Sequence, residues 1–242
     1  MAVQKYIPNL LTMLNLFCGC IAVVFIFQNQ PVLAFAFVSL GIFFDFFDGF
    51  FARLFHVSSE LGLQLDSLAD MITSGFVPGA TMFVLLTNAL NVTEPFSLLD
   101  SNFWIASLGF VVTLGSCYRL ANFNIDTRQT DSFIGLPTPA NALFILSLPI
   151  ILRDTNSLLL LGLLTTPEFL IFICFLSAYI LNAEIPLFSL KIKNFSFSKY
   201  ALQISFVVYS VLLLVFIQIL AVPVIVFSYV IVSIINNKLN KK

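Results

Sequence analysis

Long apolar stretches separated by short polar or proline-containing breaks run along almost the whole chain. Read as membrane spans, they extend from Pro8 to Phe27, Val32 to Arg53, Gly62 to Leu86, Phe103 to Asn122, Ala140 to Leu152, Phe169 to Leu181, Tyr200 to Leu220 and Val222 to Ile235. The fifth and sixth are short, and Ser157 to Leu164 would extend one of them, so the expected count is seven or eight. The pattern predicts an all-α polytopic transmembrane helix bundle. Because about 20 residues are needed per span, the 242 residues form one integral membrane domain over 1–242, with no room for a soluble one.

Composition agrees: 60% of residues are apolar, 10% are charged and 29 are Phe, which excludes a water-covered globule. Sorting Lys and Arg by loop tests the arrangement. With eight spans, Lys5, Arg53, Arg119, Arg128, Lys191, Lys193, Lys199, Lys238, Lys241 and Lys242 fall on one side and Arg153 alone on the other. That asymmetry places both termini in the cytoplasm. The scattered basic residues form no stripe for nucleic acid. Cys18, Cys20, Cys117 and Cys174 sit in apolar runs without metal-ligand spacing and read as packing residues.

The exception to this apolar background is a group of four aspartates, Asp45, Asp48, Asp66 and Asp70, in the second and third spans. Each costs about 2.5 to 3.5 kcal/mol near a helix centre, so they require partners. At about 100° per residue, Asp45, Asp48, Gly49 and Ala52 share one helical face, and Gly62, Asp66 and Asp70 share another. A short connection predicts an antiparallel hairpin in which the four carboxylates meet, about 13 to 19 Å along the helices from the loop midpoint. Arg53 is the one permanent cation there, and His56 reads as a bystander. Divalent cations that prefer oxygen ligands fit the remaining negative charge: two of them with Arg53 would leave a small positive excess, which invites a phosphate. Gly49 and Gly62 give a ligand room to approach the backbone, or else serve helix packing. Metals, an arginine and a spare carboxylate around a phosphate suit phosphoryl transfer, and the membrane setting points to a lipid substrate.

The residues Asp45-x2-Asp48-Gly49-x2-Ala52-Arg53-x8-Gly62-x3-Asp66-x3-Asp70 match all eight fixed positions of the signature that they resemble, that of the CDP-alcohol phosphatidyltransferase family. The resemblance implies attack of an alcohol on the lipid-side phosphorus of a CDP-activated lipid, with CMP leaving. It implies that Asp45, Asp48, Asp66 and Asp70 bind Mg²⁺ or Mn²⁺, two ions in all, and that Asp70 is the base. It gives the CDP-lipid to Gly49, Arg53, Ser59 and Gly62. It also implies a homodimer.

Three further segments, Pro8 to Gly19, Tyr118 to Asn124 and Phe133 to Ala140, resemble the membrane-bound bacterial and archaeal phosphatidylserine synthases. This implies CDP-diacylglycerol and L-serine as substrates, in a cytoplasmic membrane with the site facing the cytoplasm. Asn122 stands where many relatives carry a second Arg. Arg119, Asn124 and Arg128 offer positive charge and an amide for the acceptor or the lipid phosphate, while Gly135 to Pro139 reads as a rigid turn. Two alternatives stay open at this level: a glycerol phosphate or inositol phosphate acceptor, and a cation transporter, because intramembrane carboxylates also mark ion pathways.

Overall fold

The computed structural model describes residues 6–57, 59–92, 96–126, 133–188 and 201–240. Helices dominate: α1 (Ile7–Phe27), α2 (Pro31–Leu54), α3 (Glu60–Asp70), a π-helical turn (Met71–Phe76), α4 (Val77–Ala89), α5 (Ser101–Ala106), a 3₁₀ turn (Ser107–Phe110) and α6 (Val111–Ile125) make up the first half. The strand β1 (Phe133–Ile134), α7 (Thr138–Asp154), α8 (Leu158–Leu164), α9 (Pro167–Asn182), β2 (Pro186–Leu187), α10 (Ala201–Ile217), a 3₁₀ turn (Gln218–Leu220) and α11 (Ala221–Asn240) follow.

Local sequence sets the helix ends. Proline occupies the first turn of α1, α2, α4, α7 and α9, where its missing N–H costs nothing. Asn29, His56, Asn91 and Gln218 adopt positive φ just beyond α1, α2, α4 and α10, the left-handed conformation that terminates helices. At the start of α3, Ser59 accepts a hydrogen bond from the Gly62 amide at 3.0 Å.

Five described stretches are long and apolar enough to cross a membrane, and six if the bent α8–α9 pair counts as one. The last of the five covers 39 residues, Ala201–Leu239, about 58 Å if straight and twice what a bilayer needs. It does not run straight. The turn at Gln218 folds α11 back on α10, bringing the Phe206 and Tyr229 rings to 5.7 Å and the Tyr209 and Ser228 hydroxyls to 3.1 Å. With α7, one turn shorter than an ideal span, the bundle has the rods that the hydropathy pattern predicts. The stretch Ser157 to Leu164 forms α8, which is bent 72° from α9. Of the cations used to orient the bundle, Lys5, Arg128, Lys191, Lys193, Lys199, Lys241 and Lys242 lie outside the described residues. Arg153 pairs with exposed Asp154 at 2.7 Å, and the guanidinium holds the Asp154 carboxyl below the usual carboxylate range.

The core centres on α4, whose Met82 and Leu86 are fully buried against Ile145 of α7 and Leu170 of α9. A second cluster joins Ala22 of α1, Ala34 and Val38 of α2, and Val77 and Ala80 of α4. Outward faces are apolar as well, including a ladder of phenylalanines on α2 with Phe43 4.6 Å from Phe47 and Phe51 5.5 Å from Phe55. Such surface is stable only against lipid.

The expected close hairpin of the two acidic helices is not found. Helix α1 packs along α2 and on α3, whereas α2 and α3 barely approach each other. Four carboxylates cannot fill an interhelical seam as apolar side chains do, because their charge must stay hydrated or coordinated. The helix axes therefore stand apart, and α1 closes the gap from one side.

Candidate active site

Across that gap the acidic residues converge as their spacing predicts. Asp45, Asp48 and Asp66 each present a carboxylate oxygen within 4.8 Å of the others. Asp70 lies one turn deeper on α3 and interacts with Asp45. Asp48 is buried, and the other three are half-buried. An all-oxygen donor set of this size suits a hard divalent cation, and among the described residues no cation pairs with the three clustered carboxylates. The residues therefore fit a metal.

A cavity of about 210 Å³ opens from this cluster, lined by Asp48, Gly49, Arg53, Ser59, Gly62 and Asp66 among others. Gly49 and Gly62 both line it. A Cβ on Gly49 would meet only the Arg53 guanidinium, 3.4 Å away, and one on Gly62 only the Ser59 hydroxyl and the Asn9 side chain. Arg53 is exposed and lines the cavity, and Ser59 lines it while capping α3.

Two residues that the acidic signature does not contain complete the site. Thr12 donates to Asp48 Oδ2 at 2.5 Å, and Asn15, wholly buried, donates from Nδ2 to Asp70 Oδ1 at 3.2 Å. Asn15 is itself fixed: its backbone carbonyl accepts from Thr73 at 3.0 Å, and a Cβ at Gly41 would stand 2.8 Å from its Oδ1. The signal for both was present in the sequence, because Pro8, Thr12 and Asn15 follow helical spacing on one face of α1. We expect Asn15→Ala to lower turnover about 10- to 100-fold, as loss of a ligand-orienting partner does, with binding of the CDP-lipid retained; CMP release compared with lipid binding checks it.

The sequence profile of the CDP-alcohol phosphatidyltransferase family matches residues 5–172, a stretch that holds the whole cluster. The chain belongs to the CDP-alcohol phosphatidyltransferase family. It is thus a membrane-embedded transferase, and the transporter alternative falls away. Among curated proteins, the CDP-diacylglycerol–serine O-phosphatidyltransferase of Bacillus subtilis is 32% identical over 56% of this chain and 71% of its own length. That of Helicobacter pylori strain 26695 is 31% identical over 87% of this chain and 81% of its own. The Saccharomyces cerevisiae protein of the same name is 32% identical over 61% and 55%.

The remaining expected residues of this phosphatidyltransferase do not join the cluster as a group. Asn124 is held by Ser67 of α3, its Nδ2 donating to the hydroxyl at 2.8 Å. It ties α6 to the acidic helix instead of presenting an amide to the first cavity. Arg119 is buried and lines a second cavity. Arg128 lies outside the described residues. The Gly135 turn has φ 76° as a rigid turn requires, and it pairs with the end of α9, Gly135 N donating to Ile185 O at 3.0 Å.

Proposed function

We propose that this phosphatidyltransferase makes phosphatidylserine, transferring the phosphatidyl group of CDP-diacylglycerol to the hydroxyl of L-serine. Two things support the serine acceptor: relatives spanning most of the chain carry that activity in their names, and the acidic cluster opens into a cavity with an arginine and an unobstructed glycine. The cavity is the observation that carries the chemistry.

In this reading Arg53 holds the diphosphate, and Gly49 and Gly62 let it approach the helix backbones, with Ser59 a further contact. Asp45, Asp48 and Asp66, with Asp70 at the edge, would hold two Mg²⁺ or Mn²⁺ ions, which would neutralise charge developing on the phosphoryl oxygens. Thr12 fixes the orientation of Asp48. Asn15 occupies one oxygen of Asp70 and leaves the other to accept the serine hydroxyl proton. The serine oxygen forms its bond to the lipid-side phosphorus, the bond from that phosphorus to CMP breaks, and CMP carries away the electron pair. In this reading the site faces the cytoplasm, which the positive-inside rule supports through Arg53 at the end of α2. Arg119 and Arg128 draw the anionic groups of acceptor and lipid.

An acceptor panel tests the assignment. Purified protein with CDP-diacylglycerol in mixed micelles should release CMP with L-serine at least about a hundredfold faster than with glycerol phosphate or inositol phosphate, because buried polar groups reject a mismatched acceptor strongly. Faster release with either phosphorylated alcohol overturns it.

A further inference from the structure

Helix α3 carries Asp66 and Asp70, yet apolar packing anchors it weakly. Ala69 is its one buried residue, Leu61, Leu63 and Leu68 are exposed, and α2 barely approaches it. Helix α1 packs on it, but interdigitation on one side leaves rotation about the helix axis poorly fixed. That rotation matters to the acidic site. Carboxylates stand about 5 to 6 Å from the axis of their helix, so a roll of about 10° carries them about 1 Å, whereas metal–oxygen distances tolerate only about 0.2 Å.

Two amide side chains oppose such a roll. Asn15 of α1 donates to Asp70 itself. Asn124 of α6 takes Ser67: its Nδ2 donates to the hydroxyl at 2.8 Å, and the hydroxyl has two acceptors at 3.2 Å, Asn124 Oδ1 and the Leu63 carbonyl. Ser67 and Asn124 are both half-buried, which strengthens the bonds between them against competing water.

Ser67 follows Asp66 directly and stands three residues before Asp70, at a position that the acidic signature leaves open. At about 100° per residue it lies about 100° round the helix from Asp66 and about 60° from Asp70, on the same flank of both. A bond on that flank holds the angle of the acidic face. Its other end is firm. Helix α6 packs on α9 and on the π-helical turn, where Thr113 donates to the Gly75 carbonyl at 3.1 Å. Gly115 of α6 approaches Ala178 of α9 so closely that an added Cβ would stand 2.8 Å from the alanine Cβ.

We propose that Ser67 and Asn124 form a latch from α6 to α3 that sets the angle of Asp66 and Asp70 and thereby the affinity of the acidic cluster for its metal. Both are positioning residues, acting through the carboxylates. The proposal rests on the metal reading above.

The test uses the full chain in detergent, with Mn²⁺ alone as the probe. Thermal midpoints are followed against Mn²⁺ concentration for the wild type, Ser67→Ala, Asn124→Ala, the double variant and Ser67→Thr, and kcat and KM for CMP release are measured at saturating Mn²⁺. Each single alanine variant should need about tenfold more Mn²⁺ for half of its midpoint shift and lose about tenfold in kcat, with KM for serine and for CDP-diacylglycerol held within about twofold. The double variant should be no worse than the singles, because all three remove one shared interaction. Ser67→Thr keeps the hydroxyl and should stay within about twofold of the wild type. Ser67→Ala removes a single half-buried oxygen and decides the test even if Asn124→Ala does not fold. An unchanged Mn²⁺ requirement in Ser67→Ala, or losses that multiply in the double variant, overturns the latch alone. So does a raised serine KM confined to Asn124→Ala, which would put that amide on the acceptor. A wild-type midpoint indifferent to Mn²⁺ overturns the metal reading, and the latch with it.

Discussion

Asp70→Asn should lower CMP release by about 10²- to 10⁴-fold, the range that a positioned general base contributes, while the protein still binds CDP-diacylglycerol. The substitution preserves shape, and its amide oxygen can still accept from Asn15, which donates to Asp70 Oδ1 at 3.2 Å. It removes one negative charge and the capacity to take a proton. Asp45, Asp48 and Asp66 keep their mutual spacing, so affinity for the metal-bridged diphosphate survives. Asp48→Asn is the contrasting variant, because Asp48 lines the first cavity and belongs to the tight trio; it should lose lipid binding and turnover together. Single-turnover CMP release alongside equilibrium lipid binding separates the two. A near wild-type rate in Asp70→Asn would assign the proton to another group.

Stripping divalent cations with a chelator should abolish turnover and lower the thermal midpoint in detergent, with Mg²⁺ or Mn²⁺ restoring both. Three carboxylates within 4.8 Å repel one another unless a cation intervenes. A metal that binds only the folded protein stabilises it by about 2.7 kcal/mol at a hundred times its Kd. The same repulsion fixes a sign: Asp66→Asn should make the metal-free protein more stable than the metal-free wild type, while removing the stabilisation by metal. Thermal midpoints of both proteins with and without metal check this. A wild-type midpoint indifferent to chelator would mean that the acidic cluster holds no ion.

The helical bundle was legible because lipid imposes a simple rule on sequence: apolar side chains outside, and punctuation where the chain turns. The acidic site was legible for the converse reason, four charges where charge is expensive. What escaped depended on relations between helices. Hydropathy shows that α8 is apolar but not that it meets α9 at 72°. Helical periodicity puts Asp45 and Asp70 on inward faces but does not show that α1 packs on both of their helices and closes the site from one side. Thr12 and Asn15 look like ordinary polar residues until their partners are known. Arg119 shows the same limit, for its charge is legible and its surroundings are not: it is buried at a cavity separate from the one that the acidic cluster lines.

The π-helical turn from Met71 to Phe76, directly after Asp70, lets one span do two jobs. A wider turn shifts the angular phase of everything downstream, so α3 and α4 are aimed independently along nearly the same axis. The upstream half can point its acids at the chemistry while the downstream half, with Met82 and Leu86 wholly enclosed, is indexed to the apolar centre. Evolution could thus retune the reacting end without rotating the scaffold, and a one-residue deletion within the turn would lock the two settings together.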